Sequence, residues 1–323
     1  MDHVNPWVLA IDLGGTWTRF AAIDAGGRLV VRRRRATGSD LEPERIRAGW
    51  RAELEAVAVD AGRAGLAAAP RAVGVGATGP VERGSGRLLD PPNTGPGLAG
   101  LALVAEFGAL VDAPVAVERD TNAALIAEHT RGAARGADHV VYLTLSTGVG
   151  GAVLEGGRLL HGRHGGAGEL GHLVSDPAGP RCGCGRRGCL EAIASGPALA
   201  AEASRRIAAG ATSALASAPE PLTGAAVGVA AQRGDALARA VLDAARDAVA
   251  RAVVDIANAF DPELVVVGGS VGLGQPGWID TAERAVRARA LPPTRDGCRV
   301  VPADLGDDAV LYGAAALAWD LRA

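Results

Sequence analysis

Apolar runs and glycine turns recur in the same order in two parts of the chain. Each time, an apolar run is followed by glycines and then by a second apolar run, which is the pattern of two strands joined by a tight turn. The predicted strands of this repeat cover 7–13, 18–24, 28–34, 139–145 and 152–155. The copies begin about 130 residues apart, and such a repeat predicts two similar α/β domains with a cleft between them.

Further helices and buried strands are predicted around this repeat. Helices are predicted over 42–61, 101–110, 235–260 and 308–321. Buried strands are predicted over 72–77, 114–117 and 264–267. The first three strands follow one another directly, so they are predicted to form an antiparallel meander.

The composition narrows the chemistry that the chain can perform. Of its 323 residues 33 are basic, and all of these are arginine because the sequence contains no lysine. A P-loop, the strand lysine of a protein kinase and a Schiff base each need a lysine amine, so these mechanisms are excluded. Any phosphate chemistry must use backbone amides, arginine, hydroxyls and a metal.

Charge and hydropathy set the expected partners and location. The net charge is −3 and the pI is about 6.1, which favours neither nucleic acid nor a membrane as partner. The basic run 32–35 is interpreted as a solvated edge rather than a nucleic-acid patch. The first apolar run is too short for a signal peptide or a membrane helix, so a cytoplasmic protein is expected.

Three glycine turns are candidates for binding a nucleotide. Glycines allow backbone amides to approach a phosphate, and neighbouring hydroxyls and a carboxylate can hold phosphate and Mg²⁺. The candidate residues are Asp12, Gly14, Gly15, Thr16, Thr18 and Arg19 in the first turn, Thr147 and Gly148 in the second, and Gly268 and Gly269 in the third. The alternative for any single turn is an ordinary hairpin, but the repetition favours phosphate binding, and the arrangement of the three turns resembles the nucleotide site of the actin, hexokinase and Hsp70 superfamily.

A G-x-G-x-x-G motif over 74–79 follows a predicted strand and suggests a dinucleotide site. Such a site needs a helix to begin at the motif. Here a loop that contains Pro80 and further glycines follows instead. We therefore rank the dinucleotide interpretation below the phosphate-binding interpretation of the three glycine turns.

Three of the four cysteines lie within eight residues and follow a histidine. His172, Cys182, Cys184 and Cys189 would form a closed Cys₃His zinc site, with no open position for a catalytic water. The alternative is free thiols in a flexible loop. Cys298 stands apart and is interpreted as a small buried apolar residue, and the histidines other than His172 show no partner pattern.

The segment 168–192 closely resembles the signature of the ROK family, which contains bacterial sugar kinases and sugar-responsive repressors. It reads Gly-Glu-Leu-Gly-His, followed by Cys-Gly-Cys-Gly-x-x-Gly-Cys-Leu-Glu-Ala. Other motifs of the family occur in order along the chain. They are Asp12-Leu-Gly-Gly-Thr16, Asn93 in a Pro-Pro-Asn loop, Asp120-Thr-Asn122, Ser146-Thr-Gly-Val-Gly-Gly151, Val267-Gly-Gly269 and Gly306-Asp-Asp-Ala309.

The resemblance implies two actin-like, ribonuclease H-like domains of the hexokinase, Hsp70 and actin superfamily. The first is expected over 1–118 plus about 308–323, and the second over 119–307 with the zinc-binding signature 168–192. It also implies ATP, Mg²⁺ and a structural Zn²⁺. A homodimer or homotetramer is expected from the family.

The resemblance further implies Asp120 as the base that accepts the proton of the attacking sugar hydroxyl. Asp120 is also a candidate helix N-cap, and both roles are compatible. The expected sugar-binding residues are Gly79, Asn93, Arg119, Asn122, Glu169, His172 and Glu191. His172 would bind zinc with one ring nitrogen and face the sugar with the other, while a plain surface charge is the alternative for Glu191.

The expected activity is transfer of the γ-phosphate of ATP to the 6-hydroxyl of a hexose or N-acylhexosamine. The segments 176–180, 191–196 and 268–272 are more similar to N-acetylmannosamine kinases than to glucokinases, so N-acetylmannosamine comes first and glucose second. Arg119 stands where many ROK kinases have an asparagine, directly before the catalytic aspartate. The resulting Arg-Asp pair is similar to that of allose kinases. A catalytically silent sugar sensor related to the repressors, and a chaperone-like or actin-like ATPase, are the alternatives. The strand that begins at Trp7 leaves no room for the repressors' N-terminal helix-turn-helix, which favours the enzyme.

Overall fold

The computed structural model describes residues 5–89, 95–219 and 221–321, and the chain forms two compact units. Unit 1 combines the residues up to Arg131, the segment His161–Ala167 and the residues from Asp308 onward. Unit 2 combines Gly132–Leu160 and Gly168–Asp307. Within the described residues, none of the helices has the length and apolar character that spanning a membrane requires.

Strands and helices are mixed along the chain, as in the predicted α/β class. The strands are β1 (Trp7–Leu13), β2 (Trp17–Asp24), β3 (Leu29–Ala36), β4 (Val73–Ala77), β5 (Val115–Arg119), β6 (Val140–Leu145), β7 (Val149–Glu155), β8 (Arg158–Leu159), β9 (Leu264–Gly268) and β10 (Arg299–Pro302). The helices are α1 (Pro43–Arg63), α2 (Leu103–Leu110), α3 (Asp120–Arg131), α4 (Glu191–Ala194), α5 (Gly196–Ala208), α6 (Gly224–Gln232), α7 (Ala236–Phe260), α8 (Gly269–Gly274), α9 (Trp278–Arg289), α10 (Thr294–Gly297) and α11 (Ala309–Asp320).

Unit 1 is built on a five-stranded sheet in the order β3-β2-β1-β4-β5. Strands β1, β2 and β3 are antiparallel neighbours, which confirms the predicted meander, whereas β4 and β5 run parallel to β1. Successive side chains of a strand point to opposite faces. Leu9 and Ile11 accordingly join a core with Trp50 of α1, while Val8 and Ala10 pack with residues of α11.

Helix α3 belongs to unit 1, because it packs closely against α11. At the contact, a side chain at Gly313 would lie only 1.8 Å from the carbonyl oxygen of Ala123. The predicted domain boundary after residue 118 therefore differs from the boundary of the compact unit, which lies after Arg131. The predicted second domain also included 161–167, and these residues lie in unit 1.

Unit 2 repeats the strand arrangement with its own sheet, in the order β10-β9-β6-β7-β8. Strands β6, β7 and β8 are antiparallel neighbours, and β9 and β10 run parallel to β6. Its core is formed by the strands together with small and β-branched residues of α7, such as Ala245, Val249 and Val253. The repeat seen in the sequence thus corresponds to two sheets of equivalent strand order.

Candidate functional site

The first glycine turn joins β1 and β2, and hydroxyl groups of nearby threonines stabilise it. Gly14 donates its N–H to the carbonyl of Trp17 over 3.1 Å, and a side chain at Gly14 would lie 2.9 Å from that oxygen. Thr37 donates its hydroxyl to the Gly14 carbonyl over 2.7 Å and lies 3.0 Å from the hydroxyl of Thr18. Thr18 is fully buried, so its hydroxyl supports the turn, whereas Thr16 is exposed.

The carboxylate at the end of β1 is already engaged within unit 1. Asp12 and Arg19 are paired across the β1–β2 hairpin and form an ion pair. Asp12 is 4% exposed, while Arg19 is half-buried. The pair places one negative and one positive group directly beside the first glycine turn.

The second and third glycine turns are adjacent in unit 2. Ser146, in the turn between β6 and β7, has its hydroxyl 3.1 Å from the hydroxyl of Ser270, which follows Gly268 and Gly269. Gly269 has φ +86°, and a side chain there would lie 2.3 Å from the carbonyl oxygen of Leu145. The structure therefore brings these two predicted nucleotide turns together, with Thr147 exposed at the first of them.

Asp120 stands at the junction of β5 and α3. It is the first residue of the helix, and its Oδ1 accepts the N–H of Thr121 over 2.7 Å. The side chain is only partly buried. On the neighbouring strand β4, a Cβ at Gly76 would lie 2.4 Å from Cγ1 of Val310 in α11, so glycine there lets α11 pack against the strand.

Glu118, which the sequence reasoning did not select, organises the residues around Asp120. Its Oε1 accepts the backbone N–H of Arg119 and the Nδ2 of Asn122, each over 2.8 Å. Its Oε2 lies 2.7 Å from Nε2 of His161. Asn122 is 1% exposed and Arg119 4% exposed, so both predicted sugar ligands are buried against this carboxylate.

The ROK-like signature packs directly on strand β7. A side chain at Gly171 would lie 1.8 Å from the carbonyl oxygen of Val149, so only glycine fits there. Glu191 accepts the backbone N–H of Val149 with Oε2 over 3.1 Å. Glu169 is exposed next to this contact. Glu191 therefore connects the end of the cysteine loop to the strand that begins at the second glycine turn, rather than standing as an isolated surface charge.

The cysteine and histidine side chains converge on one point. The ligand atoms of His172, Cys182, Cys184 and Cys189 all lie within 4.8 Å of one another. The Nδ1 of His172 lies 3.7 Å from Cys182 Sγ, and the Sγ atoms of Cys184 and Cys189 are 3.6 Å apart. Zinc–sulfur bonds of about 2.3 Å give tetrahedral edges of about 3.8 Å, so this donor set fits a tetrahedral zinc ion.

The thiols of this cluster differ in acidity. Burial raises the pKa of the Cys182 thiol to about 12. The backbone N–H of Arg186 lowers the pKa of the Cys184 thiol to about 6. Burial also raises the pKa of Cys189. One thiolate is thus stabilised without a metal, and the two buried thiols need a cation to favour their charged form.

Two predicted sugar-site residues remain to be placed. Gly79 lies after β4 with φ +87°, a conformation that favours glycine. Asn93 lies outside the described residues.

The basic run 32–35 lies on β3, where Arg33 pairs with Glu53 and Asp60 and Arg34 lies over the ring of Trp17. Acidic and aromatic partners therefore occupy these two arginines, which is consistent with the interpretation as an edge.

The fold and site define a class of protein: two actin-like α/β units with glycine turns and a Cys₃His loop. The profile of the ROK family matches residues 8–320. The chain therefore belongs to the ROK family, as its motifs predicted, and the predicted fold class is confirmed.

Similar proteins include both enzymes and a regulator. The N-acetylmannosamine kinase of Escherichia coli O157:H7 is 38% identical over 310 residues, which cover 96% of this chain and 97% of that protein. The ROK family glucokinase of Streptomyces griseus, solved with glucose and AMPPNP, has a TM-score of 0.82 at 32% identity, covering 98% of this chain and 100% of that chain. A ROK family transcriptional regulator has a TM-score of 0.85 at 28% identity, covering 97% of this chain and 78% of that chain.

Proposed function

We propose that this protein is an ATP-dependent sugar kinase that transfers the γ-phosphate of ATP to the 6-hydroxyl of a hexose or N-acylhexosamine. The observation that carries the proposal is Asp120, a partly exposed carboxylate at the start of α3, in a chain that matches sugar kinases over nearly its whole length. N-acetylmannosamine is the first candidate, because relatives of that name are 38% identical to the chain. Glucose is the second and allose or another hexose the third.

In the proposed reaction Asp120 accepts the proton of the sugar hydroxyl. At the same time the hydroxyl oxygen of the sugar forms a bond to the γ-phosphorus of ATP. The bond between that phosphorus and the β–γ bridging oxygen breaks, and ADP leaves. Phosphoryl transfer depends mainly on positioning and charge stabilisation, and a well-placed base adds about 10²–10⁴-fold. The Thr121 N–H at Asp120 Oδ1 orients the carboxylate.

The nucleotide is proposed to bind at the glycine turns. The backbone of Gly14 and Gly15, the hydroxyl of Thr16 and the guanidinium of Arg19 suit phosphate oxygens, and Thr147 and Gly148 supply the second turn. Gly268 and Gly269 are proposed to contact the adenosine. Asp12 would hold Mg²⁺, directly or through water, and the ion would neutralise phosphate charge.

The sugar is proposed to contact Gly79, Asn93, Glu169, His172 and Glu191, with Arg119 and Asn122 behind them. The Cys₃His cluster is proposed to hold one structural zinc ion. That ion would stabilise the loop between Glu169 and Glu191, and it leaves no coordination position for chemistry. A homodimer or homotetramer in the cytoplasm is part of the same proposal.

The test is a coupled ADP-release assay with MgATP and one sugar at a time. The panel contains N-acetylmannosamine, glucose, allose, mannose, fructose and N-acetylglucosamine. Turnover that depends on one sugar, and that an Asp120→Asn variant loses by orders of magnitude, supports the proposal and identifies the substrate. ATP hydrolysis that needs no sugar contradicts it.

A sugar sensor without catalysis is the second candidate, and the match to a ROK family transcriptional regulator favours it. The two candidates differ in one outcome of the same experiment. A sugar that raises the melting temperature of the protein without any ADP release identifies a sensor.

A further inference from the structure

A short segment of unit 1 lies, along the chain, between two stretches of unit 2. Residues 161–167 belong to unit 1, although unit 2 contains both Leu160 before them and Gly168 after them. The segment is closed on itself, since Ala167 donates its N–H to the carbonyl of His161 over 3.0 Å. We call residues 161–167 the strap.

The strap is attached to the residues that flank Asp120. His161 Nε2 lies 2.7 Å from Glu118 Oε2, with side chains only 20% and 15% exposed. Arg119 donates from its guanidinium to the carbonyl of Ala167 over 2.8 Å. Both ends of the strap therefore contact adjacent residues of β5, immediately before Asp120.

The middle of the strap is held by a steric contact. Gly165 is buried with φ +79°, and a side chain there would lie 2.7 Å from the carbonyl oxygen of Val81. By contrast, His164 on the same strap is exposed. The strap thus has a fixed inner side and a solvent side, and its two histidines lie on different sides.

Because Glu118 also holds Arg119 and Asn122, its contact with His161 affects the position of these residues. The same carboxylate accepts the N–H of Arg119 and the side-chain amide of Asn122. Removing the His161 partner leaves one oxygen of a largely buried carboxylate without its hydrogen bond, which is costly. The Glu118 side chain would then shift, together with the Arg119 backbone that leads into Asp120.

We propose that His161 is a positioning residue for the sugar: through Glu118 it fixes the strap, the Arg119 side chain and the orientation of Asp120. The strap continues directly into Gly168 and Glu169, and Glu169 is a proposed sugar ligand. Within unit 1, one hydrogen bond therefore sets the positions of the strap and of the residues that lead into Asp120. This inference rests on the proposed function for its substrate, while the contacts themselves do not depend on it.

The experiment compares His161→Ala, His161→Gln and the matched control His164→Ala in the full chain. Hydrogen exchange of residues 161–167 is measured without sugar or nucleotide. We expect exchange in His161→Ala to be about ten-fold faster than in the wild type, the effect of losing one hydrogen bond to a charged group. His161→Gln, which retains a donor, is expected to restore most of the protection, and His164→Ala is expected to match the wild type.

The kinetic measurement separates positioning from general damage. For the sugar that drives ADP release, the KM of His161→Ala is expected to rise about ten-fold, with recovery in His161→Gln and an ATP KM within about two-fold of the wild type. Unchanged exchange in His161→Ala, or an ATP KM that rises as much as the sugar KM, overturns the inference.

Calorimetric sugar binding keeps the two proposals apart. A wild-type protein that binds none of the six sugars contradicts the proposed function, and the exchange measurement then decides on the strap alone. A wild type that binds a sugar, with equal affinity in His161→Ala, contradicts the positioning role.

Discussion

Two carboxylates, two positions apart at the β5–α3 junction, have different surroundings. Glu118 contacts the Arg119 N–H, Asn122 and His161, and its side chain is 15% exposed. Asp120 is the first residue of α3 and accepts the Thr121 N–H with Oδ1. Because both oxygens of Glu118 are engaged by neighbouring groups, Glu118 is suited to supporting Asp120, the proposed base.

At the residue scale, we predict that Asp120→Asn lowers kcat by about 10²–10⁴-fold, because the amide cannot accept the proton. Asparagine can still accept the Thr121 N–H, so the melting temperature is expected to change little. The ADP-release assay and thermal unfolding measure the two effects. Asp112→Asn, at an exposed carboxylate of the same unit, is the control. A variant that retains wild-type kcat would remove Asp120 from the mechanism.

A second residue-scale prediction concerns the signature glycine. Gly171→Ala places a methyl group against the Val149 carbonyl, so we expect the free energy of unfolding to fall by about 1–3 kcal/mol. Urea unfolding measures it. Gly166→Ala is the control, because a Cβ at Gly166 meets no atom within 4 Å. Equal stability of the two variants would show that β7 moves away at no cost.

Short motifs revealed the residues that lie close together in sequence, and the zinc ligands are the clearest case. The contact between Glu118 and His161 spans 43 residues and joins two side chains without a spacing pattern. His161 was therefore interpreted as an ordinary histidine. Similarly, the burial of Thr18 under its turn depends on Thr37, which follows the next strand. Only the folded chain shows such pairs.

At the scale of elements, apolar runs predicted where strands occur better than where they begin. Strand β7 was predicted to start at residue 152, but it starts at Val149. Glycine disfavours strands in general, and here Gly151 is required because Leu170 packs against it. Asp120, which the sequence suggested as a helix N-cap, is itself the first residue of α3.

Helix α7 supplies an element-scale prediction. Asp235 caps it by accepting the Ala238 N–H over 2.9 Å and also accepts the Ala214 N–H over 2.8 Å. We expect Asp235→Ala to lower the free energy of unfolding by about 1 kcal/mol at pH 7. Asp235→Asn, which keeps an acceptor, should lose less.

This loss depends on pH in a defined direction. The Ala238 N–H lowers the pKa of Asp235 in the folded protein. The carboxylate therefore contributes stability above its unfolded pKa of about 3.9, and this contribution disappears as the pH falls through the folded pKa. Urea unfolding from pH 7 to pH 3 should show the gap between wild type and Asp235→Ala narrowing with acid. A constant gap would contradict the role of the charge.

At the scale of the whole molecule, the repeat of strand, turn and strand predicted two similar sheets, and both exist with equivalent strand order. The sequence predicted the boundaries of the two compact units less well. Residues 120–131 and 161–167 join unit 1 through tertiary contacts, with α11 and with Glu118 respectively. Periodicity reports which face of an element is buried, but not which partner covers it.

Metal content supplies a prediction for the whole molecule. The purified chain is expected to carry one zinc ion, and Cys184→Ser to lose it and melt at a lower temperature, because a Cys₃His site needs all four ligands. Elemental analysis and thermal unfolding test this. Cys298→Ala, at the buried cysteine outside the cluster, is expected to keep its zinc. Full zinc content in Cys184→Ser would contradict the ligand assignment.

The late position of α11 has a consequence for biosynthesis. This helix packs on β1 and β4, and a side chain at Gly74 of β4 would lie 1.7 Å from the Ala314 carbonyl. The ribosome makes β1 and β4 first and α11 last among the described elements. During translation the sheet of the first unit therefore keeps the face that α11 covers exposed until the second unit has been synthesised.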